Sequence, residues 1–278
     1  MASYDEVNGA CEYLRKKVPS QPQIGLICGS GLSKLADGIL NPIVIPYEEI
    51  PHFPRTTVKG HIGNLIFGTM GGKYVMLMQG RFHGYEGYTQ QQITLPIRVM
   101  KMMGCEYLIV TNATGTVHLN YNVGDLMVVR DHISIPALCG FNPLCGSNDE
   151  RFGLRFPALS DIYTKELRQL ALKVADQMGI MDIMHEGLYV CISGPTYNTP
   201  AEDRALHLLG ADVVGMSLTA EATVAHHCGM KVLAISLITD RCSFENGGHH
   251  SNHEEVLRAS LESSETITMM ITQILEKL

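Results

Sequence analysis

Ile24-Gly25-Leu26-Ile27-Cys28-Gly29-Ser30-Gly31-Leu32 is an apolar run that ends in Gly-Ser-Gly. Such a run reads as a short strand followed by a sharp turn. In a turn of this kind successive backbone N–H groups can point at one anion, and here a hydroxyl stands among them. The common nucleotide cradles do not fit. A Walker loop ends in Gly-Lys-Ser/Thr, whereas this turn continues Ser33-Lys34. A dinucleotide fingerprint places a third glycine where Lys34 stands. The turn suits a small anion such as free phosphate, and it equally suits a plain strand-ending turn.

Outward from this turn, strand patterns recur at 24–28, 63–70, 73–79, 105–112, 125–132, 187–193, 211–216 and 231–239. Gly71-Gly72 joins two of them as a tight hairpin. Helical patterns alternate with them. Ser3-x-x-Glu6 is a capping box that opens a stripe of Val7, Ala10, Cys11 and Leu14, ending near Pro19. Thr89 to Met103 stops at Gly104, and Ser160 to Met178 stops at Gly179. Thr199 caps another helix, with Pro200 in its first turn, Glu202 completing the box and Gly210 ending it. A further helix precedes Gly229, and a long one starts at Asn252. The alternation covers residues 1–278, so the expectation is one α/β domain with a central mixed, twisted sheet flanked by helices. The irregular stretches 52–62, 139–158 and 240–251 are long enough to be binding loops.

The chain has 278 residues, 45% hydrophobic and 18% charged, which is enough to bury a large core. Its formal charge of −7 gives no field that favours nucleic acid or an anionic membrane. An anionic ligand therefore needs a local cationic cluster. No apolar stretch reaches spanning length, and the N-terminus reads as no signal peptide. The eight cysteines form no CxxC pair, and several lie in apolar runs, as reduced buried thiols do. A cytoplasmic location is expected on that basis.

Gly80-Arg81-Phe82-His83-Gly84-Tyr85-Glu86-Gly87-Tyr88 follows a strand. In extended chain Arg81, His83 and Tyr85 share one side. All three can hydrogen-bond an oxyanion, arginine through two parallel bonds. The alternative is a charged surface turn, which the density of aromatics and glycine argues against. His226-His227 and His249-His250 invite a metal reading. Adjacent residues point in different directions and no third ligand has metal spacing, so no metal is expected.

Seven motifs occur in order: the Gly-Ser-Gly turn; Pro54 with Gly60-His61; Gly80 to Tyr88; Thr111-Asn112-Ala113; Gly194-Pro195-Thr196-Tyr197; Gly215-Met216-Ser217; and Asn252-His253-Glu254-Glu255-Val256. Together they resemble the trimeric purine nucleoside phosphorylases over nearly the whole chain. The resemblance implies cleavage of ribonucleosides by inorganic phosphate, with free base and ribose 1-phosphate as products and with no cofactor. It implies that Ser30, His61, Arg81, His83, the Ala113 N–H and Ser217 hold phosphate. Tyr85 and Met216 would contact ribose, His253 the 5′-hydroxyl, and Tyr197 the base or sugar, with Val214 and Thr239 lining the nucleoside site. Phe156 would reach into the neighbouring subunit's site in a homotrimer. His83, Asn198 and Asp240 would carry the catalytic contacts, and Glu86 would orient its neighbours.

The departures fall at the base site. Where this family has glutamate, the chain has Asn198. Where it has Thr-Asn, the chain has Thr239-Asp240, and Thr114-Gly115-Thr116 adds bulk nearby. Methylthioadenosine phosphorylases share Thr-Asp but lack the histidine that stands here at His253, so that alternative is disfavoured. A silent nucleoside-binding homologue is disfavoured by the complete phosphate set. An ionised Asp240 only accepts, and a protonated one could donate to N7 of the base. Either state favours a base with an amino group beside a ring acceptor, as in adenine and cytosine. Asn198 is expected to present either end of its amide. The polar 240–251 segment is expected to act as a lid over bound nucleoside.

Overall fold

The computed structural model describes residues 3–245, 247 and 252–278. The Ile24–Ile27 strand, β1, lies at its centre, and its side chains alternate between two cores. Leu26 and Ile24 face one core and Ile27 the other, which is why the run is apolar throughout. Gly25 sits against the Met100 sulfur, where a Cβ would come within 2.6 Å. β1 pairs in parallel with β4 (Lys73–Gln79) on one edge and with β5 (Tyr107–Thr116) on the other. β3 (Asn64–Met70) and β4 form the expected hairpin through Gly71-Gly72, both at positive φ.

β2 (Leu40–Pro46) extends this edge and was not anticipated. It is mostly exposed, contains Pro42 and carries Asn41 at φ 51°, so its pattern reads as loop. An edge strand tolerates all three. The other strands are β6 (Leu126–Ser134), β7 (Met184–Cys191), β8 (Val213–Gly215) and β9 (Lys231–Arg241). The order is β2-β3-β4-β1-β5-β8-β7-β6-β9, and β5 also pairs with β9. Nine strands thus form a mixed sheet whose second half closes on itself through β5, a closure the sequence pattern did not reveal.

Helices cover both faces. α1 (Tyr4–Arg15), α2 (Gln90–Met103) and α6 (Thr219–His227) pack around one core. α4 (Lys165–Gln177) and α7 (His253–Glu276) pack around the other. The short α3 (Ile135–Leu138) follows β6, and α5 (Pro200–Leu208) lies between β7 and β8 in the chain. The capping boxes of α1 and α5 form as read, and Thr89 with Gln92 forms a third at α2.

β5 creates the opening that matters. Its residues 107–110 pair with β1, and its residues 115–116 pair with β8. Residues 111–114 therefore have no ladder neighbour on that edge. The Gly29 turn closes against this gap so tightly that a Cβ would lie 2.6 Å from the Asn112 Cα. Only glycine allows that approach.

Candidate active site

A cavity of about 270 Å³ fills the gap between β1 and β8. Its walls carry Ser30, Arg81, His83, Tyr85, Ala113, Tyr197, Asn198, Val214, Met216, Ser217, Thr239, Asp240 and His253. The fold thus brings together all but two of the residues expected to form the site. His61 lies behind Ser30, and Phe156 stands away from the cavity, 87% exposed.

His61 Nδ1 accepts from the Arg81 backbone N–H at 3.1 Å. Burial, then the nearby His83 and Arg81, push its pKa down to about 3, so the ring is neutral. Its proton must then sit on Nε2, which donates to Ser30 Oγ at 3.1 Å. That bond leaves the Ser30 hydroxyl proton free for an anion. His61 orients the serine and reaches an anion only through it.

Arg81 is buried, and its Nε donates to Glu221 Oε1 at 3.1 Å. Nη1 donates to Ser217 Oγ at 3.0 Å, so that hydroxyl also keeps its proton for a ligand. Nη2 and the Glu221 Oε2 oxygen are both buried, with no hydrogen-bond partner among the described residues. A buried guanidinium held in this way on the cavity wall can attract a second anion besides Glu221. Glu221 escaped the sequence reading because a carboxylate in the first turn of a helix ordinarily faces water. Only burial of that helix turns it inward.

Ser217 is held from behind by Tyr189, whose hydroxyl donates to the Ser217 carbonyl at 3.1 Å and accepts its N–H at 3.2 Å. The following residue, Leu218, takes φ 70° without being glycine. Backbone strain of this kind, on the order of 1–3 kcal/mol, gathers where a side chain must be aimed at a ligand.

His83 Nδ1 meets Glu86 Oε1 at 3.1 Å. Burial raises the Glu86 carboxyl, but bonds from His83 and from Thr57 overcome it and hold the group at about 2. The carboxylate can only accept, so Nδ1 of His83 carries a proton. Burial lowers the His83 pKa, which leaves a neutral ring with Nε2 as an acceptor. Such a ring pairs with an O–H, as on monoprotonated phosphate or a sugar. Tyr85 stacks on this ring at 4.6 Å.

At the far end of the cavity the β5–β9 ladder slips between Thr114 and Gly115, leaving Thr239 without an opposite residue. This bulge turns the Thr239-Asp240 pair toward the cavity. Thr239 Oγ1 donates to the Thr114 carbonyl at 3.3 Å, and Thr114 Oγ1 donates to the Leu237 carbonyl at 3.1 Å. Asn198 is not free to turn, contrary to expectation. Its Nδ2 donates to Asp203 Oδ1 at 2.9 Å, so Oδ1 is the end left for a ligand. His253 Nε2 donates to the Lys59 carbonyl at 3.1 Å, which leaves Nδ1 as an acceptor.

Among the described residues no three His, Cys, Asp or Glu side chains cluster as metal ligands do. His226 and His227 each bond a different backbone carbonyl, those of Ala158 and Leu154. His249, His250 and much of the expected lid, residues 246 and 248–251, lie outside the described residues. No helix among the described residues is long and apolar enough to cross a membrane.

Residues 23–276 match the family model described as the phosphorylase superfamily. The chain is 43% identical to the purine nucleoside phosphorylase of Rattus norvegicus, over 99% of its own length and 96% of that protein's. It belongs to the purine nucleoside phosphorylase family. A Schistosoma mansoni purine nucleoside phosphorylase solved with adenosine superposes with a TM-score of 0.97, at 46% identity and with 100% and 99% of the two chains covered. Isoform 2 from the same organism, solved with cytosine and ribose-1-phosphate, gives 0.95 at 45% identity, covering 100% and 98%. For a purine nucleoside phosphorylase, the serine and arginine donors and the histidine acceptor around one end of the cavity, and the amide and carboxylate at the other, match a ligand with an anionic end and a heterocyclic end.

Proposed function

We propose that this protein cleaves ribonucleosides by phosphorolysis as an enzyme of purine salvage. Phosphate attacks C1′ of the sugar, a C–O bond forms, and the C1′–N bond breaks. The bonding pair leaves with the base, which then takes up a proton. The observation that carries this reading is Arg81: a buried guanidinium on the cavity wall, held in place by Glu221 and Ser217. Ser30, Ser217 and the Ala113 N–H complete the anion site, with His61 behind Ser30 and His83 Nε2 accepting from a phosphate O–H. An oxocarbenium-like sugar is stabilised by that anion beneath C1′, so the protein supplies no nucleophile, metal or cofactor. Tyr85 and Met216 pack on the ribose, and His253 accepts from the 5′-hydroxyl. Tyr197, Val214, Asn198, Thr239 and Asp240 hold the base.

The acceptor-rich base end favours an amino group, so adenosine is a substrate beside inosine, and cytidine binds. The relatives solved with adenosine and with cytosine support that range. The active species is a cytoplasmic homotrimer in which Phe156 completes the neighbour's site. The test is a panel of nucleosides incubated with and without inorganic phosphate. Base release should require phosphate and persist in a chelator. Nucleoside binding without release would make this a binding protein.

A further inference from the structure

Asp203 is a buried carboxylate on the wall of the cavity, yet nothing in the reaction calls for a third acidic group there. Its position follows from the start of α5. Thr199 is the N-cap, so Asn198 stands one residue before the helix and Asp203 at its fourth position. These two positions meet at helix starts, ordinarily through apolar side chains. Here the contact is the hydrogen bond from Asn198 Nδ2 to Asp203 Oδ1, 2.9 Å. Burial raises the Asp203 pKa, while the Asn198 amide, and Cys242 and Ser243 beside it, favour its ionised form. A carboxylate accepts and offers nothing in return.

We propose that Asp203 is a specificity-determining positioning residue: it locks the Asn198 amide with Oδ1 toward the base, so that this end of the site only accepts. This rests on the base-site reading above. An exocyclic amino group has two hydrogens, one for Asn198 Oδ1 and one for Asp240. A ring nitrogen lone pair facing Oδ1 gains nothing. Replacing Asp203 by its neutral isostere reverses the lock. An asparagine at 203 can turn its NH₂ to Asn198 Oδ1, and the Asn198 amide then turns round and offers N–H to the base.

The test compares adenine with 1-deazaadenine, which differ only in having a lone pair or a C–H at ring position 1. Calorimetry in saturating phosphate gives both affinities. In the unaltered protein 1-deazaadenine should bind at least as tightly as adenine. In Asp203→Asn adenine should gain over 1-deazaadenine by about fivefold, the scale of one neutral hydrogen bond. Asp203→Leu, which frees the amide, should shift the ratio in the same direction, and thermal melting checks that both variants are folded. In an Asn198→Ala background there is no amide to orient, so the same changes at 203 should leave the ratio fixed. An unchanged ratio in Asp203→Asn overturns the inference, and so does an equal shift in the Asn198→Ala background. Base affinity needs no turnover. A shifted ratio without phosphorolysis would therefore sink the proposed reaction alone, and phosphorolysis without the shift would sink the inference alone.

Discussion

Arg81 lies on the cavity wall with its Nε and Nη1 nitrogens committed to Glu221 and Ser217, so an incoming phosphate finds the guanidinium already oriented. The anion is thus already in place when positive charge builds up on the sugar above it, which is the condition under which such donors count most. Arg81→Ala should therefore cost roughly 2–4 kcal/mol in kcat/KM, a loss of about 30-fold to 10³-fold, by the measure of a lost oxyanion donor. Steady-state kinetics of phosphorolysis checks this. Unchanged activity in the variant, or loss of activity with a chelator in the unaltered protein, would count against the anion site. At this scale the sequence was legible wherever a side chain sits in a glycine-rich turn or after a strand, as Ser30, Arg81, His83 and Ser217 do. It was not legible at Glu221 and Asp203. Both lie in the first turns of helices, where acidic residues are ordinary helix-dipole partners. Only the burial of those turns makes them part of the site.

The elements place the base end more than the motifs do. β5 leaves β1 and joins β8, and the bulge in β9 at Thr239 aims Asp240 into the space so opened. Neither the change of partner nor the bulge has a sequence signature, because both depend on register between strands far apart in the chain. The strands themselves were legible from their apolar runs, and exposed, proline-bearing β2 was not. The consequence of the bulge is an acceptor where the family has an amide. Asp240→Asn combined with Asn198→Glu should restore preference for 6-oxopurines: the ratio of kcat/KM for inosine over adenosine should rise, by roughly tenfold for each matched charge-assisted bond. Binding of cytidine should weaken in parallel. If the unaltered chain cleaves only inosine and guanosine, and the double variant does the same, this account of the base end is wrong.

For the whole molecule, two properties follow from how the site is buried and what it leaves exposed. Phe156 is 87% exposed, and Leu154, Phe141 and Leu138, which precede it in the chain, are exposed as well. A second cavity, about 560 Å³, shares Tyr85, His83 and Met216 with the active site and borders Phe141. If Phe156 enters a neighbour's site, Phe156→Ala should raise the nucleoside KM while the phosphate KM changes little. Light scattering of the unaltered protein should give a trimer, and a fully active monomer would refute that assembly. The second property is acid sensitivity, and its sign can be worked out. Burial holds His61 near 3 and His132 near 4, and lowers His83 as well, whereas an unfolded histidine titrates near 6.5. Between those values the unfolded chain binds more protons than the native one, so native stability falls as pH falls. Glu86, held at about 2, acts in the same direction below its ordinary 4.5. Stability should be level above about pH 7 and should drop steadily from about 6.5 downward, the histidines contributing first and Glu86 later. His61→Gln retains an N–H for Ser30 and an oxygen for the Arg81 N–H, so it should fold, and it should flatten the slope between pH 6 and 4 by about one proton. Urea unfolding at fixed protein concentration across this range measures both. Equal stability at pH 5 and pH 7.5 would mean that these rings are not held neutral by burial, and the donor assignment of His61 to Ser30 would fall with them.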